Sequence, residues 1–444
     1  MKNAKQAFWG CLIVLSLLWW GVDSTDWAQV NGVFAWRTVL SQYTGILGIG
    51  VMSVGMILAM RPAFLERHFD GLDKMYRLHK WLGIAGLVIS IGHWLIAKGP
   101  KWMVAAGWLE RGARKPRPAL PEGSLQQLLA QQRGLAESIG EWAFYLAVVL
   151  IVLALIKRFP YRRFFQTHRI LALAYLALVF HAVVLLRFEY WSSPLGVVLG
   201  MLMAAGSVAA VMSLFRLRVG SSRVAGRVVA LEHQPALNVL AVDIELADGW
   251  QGHESGQFAF VTFHPEEGPH PFTIASNWNG DGRIRFLVKG LGDYTRILPD
   301  RLRVGDPVKV EGPHGRFDFA GDAPRQIWIG GGIGITPFVA RLKELAQRPD
   351  GKAIDLFHTT AAYDQEIIDR LARDADAANV RLHVRWDERD GRLDLDSLVA
   401  AVPDWRQADV WFCGPAQFGR VLREGLVRLG LPAGRFHQEL FEMR

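Results

Sequence analysis

Four histidines stand in strongly apolar surroundings in the N-terminal half of the chain: His79 and His93, then His168 and His181. An imidazole is costly to place in lipid, and an ionisable residue there is usually functional. The members of each pair are 14 and 13 positions apart. At about 1.5 Å per helical residue, either separation is a rise of roughly 20 Å, enough to put one member near each face of a bilayer. If both segments cross in the same direction, His79 is level with His168 and His93 with His181. Each facing pair of imidazoles could then hold one haem between the helices, giving two b-type haems at two depths. The angles are less even. Fourteen residues at about 100° each return to within roughly 40° of the starting face, whereas thirteen end about 140° away. The second of these helices is therefore expected to tilt, bend or carry a local irregularity. His68 has no partner of this kind and reads as a solvated loop residue.

Six apolar segments would position these side chains, at roughly 7 to 22, 39 to 60, 78 to 97, 139 to 156, 168 to 187 and 194 to 215. The first could pass for a secretion signal, since Lys2 and Lys5 precede an apolar run, but Trp19 and Trp20 stand where a cleavage site needs small residues. It reads as a retained helix with tryptophans at the membrane interface. Arg61, Arg67, Lys74, Arg77 and Lys80 surround the second loop, and Lys157, Arg158, Arg162, Arg163 and Arg169 the fourth. Both loops should face the cytoplasm. The third loop, about 98 to 138, opposes this with Lys98, Lys101, Arg111, Arg114, Lys115, Arg117 and Arg133. The first and fifth loops have only Arg37 and Arg187, so the total favours a cytoplasmic N-terminus. The large C-terminal half then follows the sixth helix to the same side. The formal charge of +8 sits mainly at segment ends and in loops, which suits membrane lipid rather than nucleic acid. No required protein partner is evident. Cys11 and Cys413 are too few for a thiolate-held iron–sulfur centre and too differently placed for a structural disulfide.

From about 218, short alternating runs such as RVAGRVVALE, NVLAVDIEL and QFAFVTF predict antiparallel strands of a small barrel. After Pro324 the apolar strand IWI leads into GGGIGITPF and the helical RLKELAQ, and strand and helix alternate to the end as in a doubly wound α/β domain. The expected fold is thus a six-helix transmembrane bundle (1–217), an antiparallel β-barrel (218–322) and an α/β nucleotide-binding domain (323–444). A glycine-rich turn before a helix lets backbone approach phosphate or ribose, though a tight turn without ligand is an equal reading of this turn taken alone.

The turn has company in a fixed order: HPFTIAS at 270–276, VKGLGDYTRIL at 288–298, EGPHGRF at 311–317, GGGIGITPF, and FCGP at 412–415. This succession resembles the ferredoxin-reductase-like module that binds FAD and NAD(P). Joined to six spans with two histidine pairs, the whole chain resembles the NADPH oxidase and ferric reductase transmembrane family in a prokaryotic form, whose third and fifth helices have the same 14 and 13 spacings. The resemblance implies that His270, Pro271, Phe272 and Thr273 line the flavin ring and ribityl chain, with Ser276 close by. It implies that Lys289, Gly292 and Thr295 hold the pyrophosphate, and that Gly331, Gly332, Gly334, Thr336 and Pro337 form the nicotinamide-nucleotide turn. Cys413, Gly414 and Pro415 would flank the nicotinamide, and Phe441 would cover the flavin. Of these, Cys413, Thr273 and Phe441 are expected nearest the reacting atoms.

Hydride transfer delivers two electrons together, a haem iron accepts one, and a flavin does both. The expected path runs from NADPH or NADH through FAD and the inner haem to the outer haem. With both axial positions held by histidine, the acceptor would react at the haem edge. Oxygen, giving superoxide, is the expected acceptor, with a ferric chelate as the alternative. A haem-free membrane anchor carrying a flavin reductase is a third reading. After the strand IDLFHTT, Ala361, Ala362, Tyr363 and Asp364 supply no arginine for a 2′-phosphate, and Thr359 and Thr360 suit either nucleotide.

Overall fold

The computed structural model describes residues 2–439 apart from 24, 26, 28, 29, 70, 111–119, 157 and 216–222. The chain divides into two compact units, one ending at Gly220 and one beginning at Ser221.

Among the described residues, six helices of the first unit are long and apolar enough to cross a membrane. They are α1 (Lys2–Val22), α2 (Val33–Ala59), α3 (Leu72–Ala105), α4 (Arg133–Leu155), α5 (Tyr161–Leu185) and α6 (Pro194–Leu214). In lipid every backbone polar group needs an internal partner, which leaves a helix as the natural state of such segments. Their ends follow local chemistry. Gly71 precedes α3 at φ 121°, and the Ser193 hydroxyl accepts from Gly196 N–H at the start of α6. The third span is longer than its apolar run suggested: 34 residues make about 50 Å of helix, well beyond a hydrocarbon core of about 30 Å. Short helices at Ala63–His68 and Leu125–Gln131 occupy parts of the second and third loops. The local irregularity allowed for in the fifth span is absent, since α5 is continuous α-helix.

The spans pack through small residues. On α4 the buried positions are Ala136, Gly140, Ala143, Ala147 and Leu150, one face at alternating spacings of four and three. Mid-bundle, the Ser53 hydroxyl donates to the Ile49 carbonyl at 2.7 Å, so the buried Tyr175 hydroxyl 2.8 Å away is the donor to Ser53. Gly206 leaves room for that tyrosine ring, because a Cβ there would lie 2.9 Å from its Cζ.

The second unit opens with β1 (Arg223–Gln234), β2 (Val239–Leu246), β3 (Phe258–Thr262), β4 (His270–Thr273), β5 (Arg283–Lys289), α7 (Asp293–Arg301) and β6 (Pro307–His314). The six strands form one antiparallel sheet in the order β4-β3-β6-β1-β2-β5. An antiparallel bridge from Ile274 to Phe286 brings its two edges together, closing the barrel. Alternate residues point inward, so Val228, Val242, Ile244, Ile284, Phe286 and Val310 fill a common core.

The rest is β7 (Arg325–Gly331), α8 (Thr336–Gln347), β8 (Ala353–Thr360), α9 (Gln365–Ala377), β9 (Arg381–Trp386), α10 (Leu395–Ala401), β10 (Ala408–Cys413), α11 (Ala416–Arg428) and β11 (Phe436–Gln438). The strands are all parallel in the order β11-β10-β7-β8-β9. From β7 the chain winds outward through β8 and β9, then returns to the other side of β7 for β10. The strand order therefore reverses between β7 and β10, and ligands of open α/β sheets bind at such a point, beyond the carboxyl ends of the strands. Within this unit Arg370 of α9 forks onto Glu232 of β1 at 3.1 and 3.3 Å, tying the α/β sheet to the barrel.

Candidate functional site

In the membrane unit the four histidines meet in the two expected pairs. The ring centres of His79 and His168 are 5.9 Å apart, and those of His93 and His181 are 6.3 Å apart. Two imidazoles on opposite sides of one metal, each bonded through nitrogen at about 2 Å, have ring centres about 6 Å apart. Each pair is thus spaced as two imidazoles holding one metal between them would be.

The protons fit the same use. His79 Nδ1 lies 2.9 Å from the Gly55 carbonyl and His181 Nδ1 lies 2.8 Å from the Ala136 carbonyl, and a carbonyl only accepts. Each ring therefore carries its proton on Nδ1 and keeps the Nε2 lone pair for a metal. His93 Nδ1 is 3.0 Å from the Thr44 hydroxyl. His168 Nδ1 is buried without a hydrogen-bond partner among the described residues, and its ring stacks on Phe164 at 5.0 Å. His68 stands apart from these pairs, its carbonyl accepting from the Asn3 amide at 2.9 Å.

In the barrel, β4 is an edge strand whose residues are all half-buried, although its neighbour β3 is almost wholly buried. His270 and Phe272 project to one side with their rings 6.3 Å apart, and His270 stacks on Tyr294 at 4.8 Å. Burial lowers the His270 imidazole to about 4, so the ring is neutral near pH 7. Pro271 and Thr273 face the other way, opposite Phe260 and Phe258 of β3. The Ser276 hydroxyl accepts from Arg285 N–H at 3.1 Å, and its carbonyl faces His253 Nε2 at 3.0 Å, which holds this loop against the barrel. Lys289 ends β5, Gly292 caps α7, and the Thr295 hydroxyl accepts from Gly292 N–H at 3.0 Å. A cation beside a helix N-terminus is suited to a pyrophosphate.

The glycine-rich turn and the FCGP segment lie side by side because Gly330 of β7 is in register with Cys413 of β10, 83 positions on. A Cβ on Gly331 would lie 2.9 Å from the Pro415 ring, and one on Gly414 would lie 3.1 Å from Gly331 Cα. Gly334 is buried against Cys413, where a Cβ would fall 2.6 Å from its carbonyl carbon. Gly334 thus serves backbone packing. Gly332 instead holds φ 56° and faces Lys289, whose Nζ would lie 3.7 Å from a Cβ placed there. Thr336 and Pro337 are buried at the start of α8, with the Thr336 hydroxyl donating to the Ile333 carbonyl at 2.7 Å. The Cys413 side chain packs in the core among Phe317, Trp328 and Phe338, and burial pushes its thiol well above the usual range. It is an uncharged core residue, so this strand end reaches the crevice through its backbone. Phe441 lies outside the described residues.

Two features of this crevice were not singled out from sequence. His358 of β8 is buried with Nδ1 3.2 Å from the Gly330 carbonyl, and burial together with nearby Lys289 lowers it to about 4. At the end of β9, Asp387 accepts from the Thr359 hydroxyl at 3.0 Å, and its other oxygen is 4.0 Å from Arg392. Only the parallel register, which sets Thr359 beside Arg385 and so brings Asp387 near, reveals the second.

Residues 44–179 match the ferric reductase like transmembrane component, and residues 225–319 match an FAD-binding domain. These two domains, in this order, are those of the NADPH oxidase and ferric reductase family. The family's transmembrane match contains His79, His93 and His168 and stops two residues before His181. The chain is 31% identical over 214 residues to the flavohemoprotein of Bordetella pertussis, covering 42% of this chain and 52% of that one. It is 35% identical over 152 residues to an NADPH oxidoreductase of Mycobacterium tuberculosis, covering 32% and 40%. The chain spans about half the length of the curated relatives it matches. A solved flavohemoglobin from Malassezia yamatoensis with bound FAD and heme aligns over 92% of this chain and 97% of its own, at 18% identity and a TM-score of 0.49. The chain is an integral membrane protein of this family with an FAD-binding barrel and a ferredoxin-reductase-like second unit.

Proposed function

We propose that the chain is a transmembrane, flavin-dependent NAD(P)H oxidoreductase that passes electrons across the membrane to an acceptor on the far side. The observation that carries this reading is the pairing of four histidines at two depths in a chain that also carries an FAD-binding barrel and a nucleotide crevice. When bound, FAD and two haems supply the redox chemistry, in the order nucleotide, flavin, inner haem, outer haem. The protein's own residues do the rest. Gly331, Gly332 and the start of α8 offer the nucleotide a backbone surface at the strand reversal; Lys289, Gly292 and Thr295 offer a pyrophosphate site. The edge of β4, with Thr273, faces the flavin. If His79 with His168 and His93 with His181 each hold one haem through Nε2, the acceptor would have to take its electron without a protein-vacated ligand position.

The basic second and fourth loops support a cytoplasmic N-terminus and a cytoplasmic second unit. The acceptor we favour is oxygen, each molecule taking one electron to become superoxide, so that one NAD(P)H reduces two. A ferric chelate is the second reading, and the description of the matched transmembrane component favours it.

The test is anaerobic reduction of the purified chain by NADH or NADPH, followed optically, and then addition of oxygen or a ferric chelate. Flavin bleaching followed by the sharp bands of two reduced low-spin haems is expected. Oxygen should then reoxidise them with superoxide release. Flavin reduction in a protein with no haem bands would leave only the membrane-anchored flavin reductase.

A further inference from the structure

We infer that Thr44 on α2 and Gly140 on α4, helices that donate no axial ligand, are positioning residues that fix the outer imidazole pair, His93 and His181. The inference rests on the ligand reading of those histidines.

The argument begins with one proton. The Thr44 hydroxyl lies 2.6 Å from the Leu40 carbonyl, which can only accept, so its hydrogen is committed there. Its oxygen, 3.0 Å from His93 Nδ1, must then be the acceptor. The ring is thereby locked with N–H on Nδ1 and a lone pair on Nε2. The Ser41 carbonyl, three residues before Thr44 on the same helix, also accepts a hydrogen bond from this ring, so α2 holds it through both groups.

His181 is fixed by a different device. Its Nδ1 donates to the Ala136 carbonyl at 2.8 Å, which requires the ring to lie against the backbone of α4. Gly140, one turn along the same face, makes that approach possible. A Cβ on Gly140 would fall 2.6 Å from both Cγ and Cε1 of His181, and closer still to Nδ1. The neighbours along this face, Ala136, Ala143 and Ala147, all have side chains; the ring lies over the position that has none. Gly45 is a milder case, since a Cβ there would be 3.4 Å from His93 Cε1.

The inner pair differs. His79 has the Gly55 carbonyl, but His168 Nδ1 has no partner among the described residues. Donation from Nδ1 orients a ligand and makes it more basic, which favours the oxidised metal. The outer pair has this support on both sides.

The experiment uses the full chain with Gly140→Ala, Thr44→Val and Thr44→Ser, and with Gly134→Ala as a control where a Cβ meets nothing within 4 Å. The readouts are haem per chain, low-spin electron paramagnetic resonance signals and potentiometric midpoints, with the outer haem identified as the one missing from His93→Ala. Gly140→Ala is expected to lose the outer low-spin signal and keep the inner one. Thr44→Val is expected to keep both haems while the outer midpoint rises, and Thr44→Ser to restore it. Retention of both parental signals in Gly140→Ala, or unmoved midpoints in Thr44→Val, would overturn the inference. If Gly140→Ala does not accumulate, the Thr44 pair decides alone. A parent protein without two low-spin haems overturns the ligand reading itself, and this inference with it.

Discussion

Replacing Gly334 by alanine tests whether the nucleotide crevice is built by backbone packing between two turns. The added Cβ would lie 2.6 Å from the Cys413 carbonyl carbon and 2.9 Å from Gly414 N, closer than real Cβ contacts come. All of these neighbours are backbone, and none can rotate away. Relief requires the ends of β7 and β10 to move apart, at the point where the strand order reverses. Overpacking of this kind costs about 1–3 kcal/mol. Expressed wholly as lost nucleotide affinity, that is roughly a 5- to 150-fold rise in Kd. The assay is the rate of flavin reduction against NADH and NADPH concentration in the purified chain, with the haem spectrum as an internal reference. The apparent Kd should rise at least about fivefold, with the haem bands unchanged. Gly434→Ala, where a Cβ meets nothing within 4 Å, should behave as the parent. Gly332→Ala should weaken binding through a different cause, because its φ of 56° disfavours any Cβ. A folded Gly334→Ala protein with parental nucleotide affinity would refute the reasoning.

His93→Ala should remove one haem and leave flavin reduction by nucleotide intact; a variant that retains both haems would sink the pairing of His93 with His181. NADH should be used in preference to NADPH, because the Asp387 carboxylate, bonded to the Thr359 hydroxyl at 3.0 Å, would repel a 2′-phosphate. Asp387→Asn should narrow the ratio of kcat/KM values, and a parent protein that prefers NADPH would contradict this. His358 is lowered to about 4 in the fold against 6.5 as a free group, so between those values the unfolded chain binds the extra proton and stability falls as pH falls. The loss approaches about 3 kcal/mol by pH 4, is absent above pH 7, and should shrink in His358→Asn when melting is followed by flavin release.

The histidine pairs were legible because a 3.6-residue repeat converts sequence separation directly into depth, and lipid makes every polar side chain conspicuous. That arithmetic says nothing about which carbonyl a ring will meet. Ala136 and Thr44 are 45 and 49 positions from their histidines, and only the packing of α4 on α5 and of α2 on α3 brings them together. The spacing of 13, set against one of 14, was expected to need a tilt, a bend or a local irregularity in α5, and the helix runs through without an irregularity. The imidazole has two side-chain torsions and reaches its partner without one, so long as the neighbouring helix leaves a gap. Gly140 supplies that gap. The same division holds in the second unit. Period-two and strand–helix patterns showed the barrel and the doubly wound sheet, because burial on one or two faces writes them into the residue order. The role of Gly334 was not visible there. A glycine needed for ligand access and one needed for strand-end packing look identical in GGGIGITPF, and only the register of Gly330 with Cys413 tells them apart. Where a side chain's absence is the function, a sequence shows the absence but not what it is for, and the neighbour that fills the space has to be found in three dimensions.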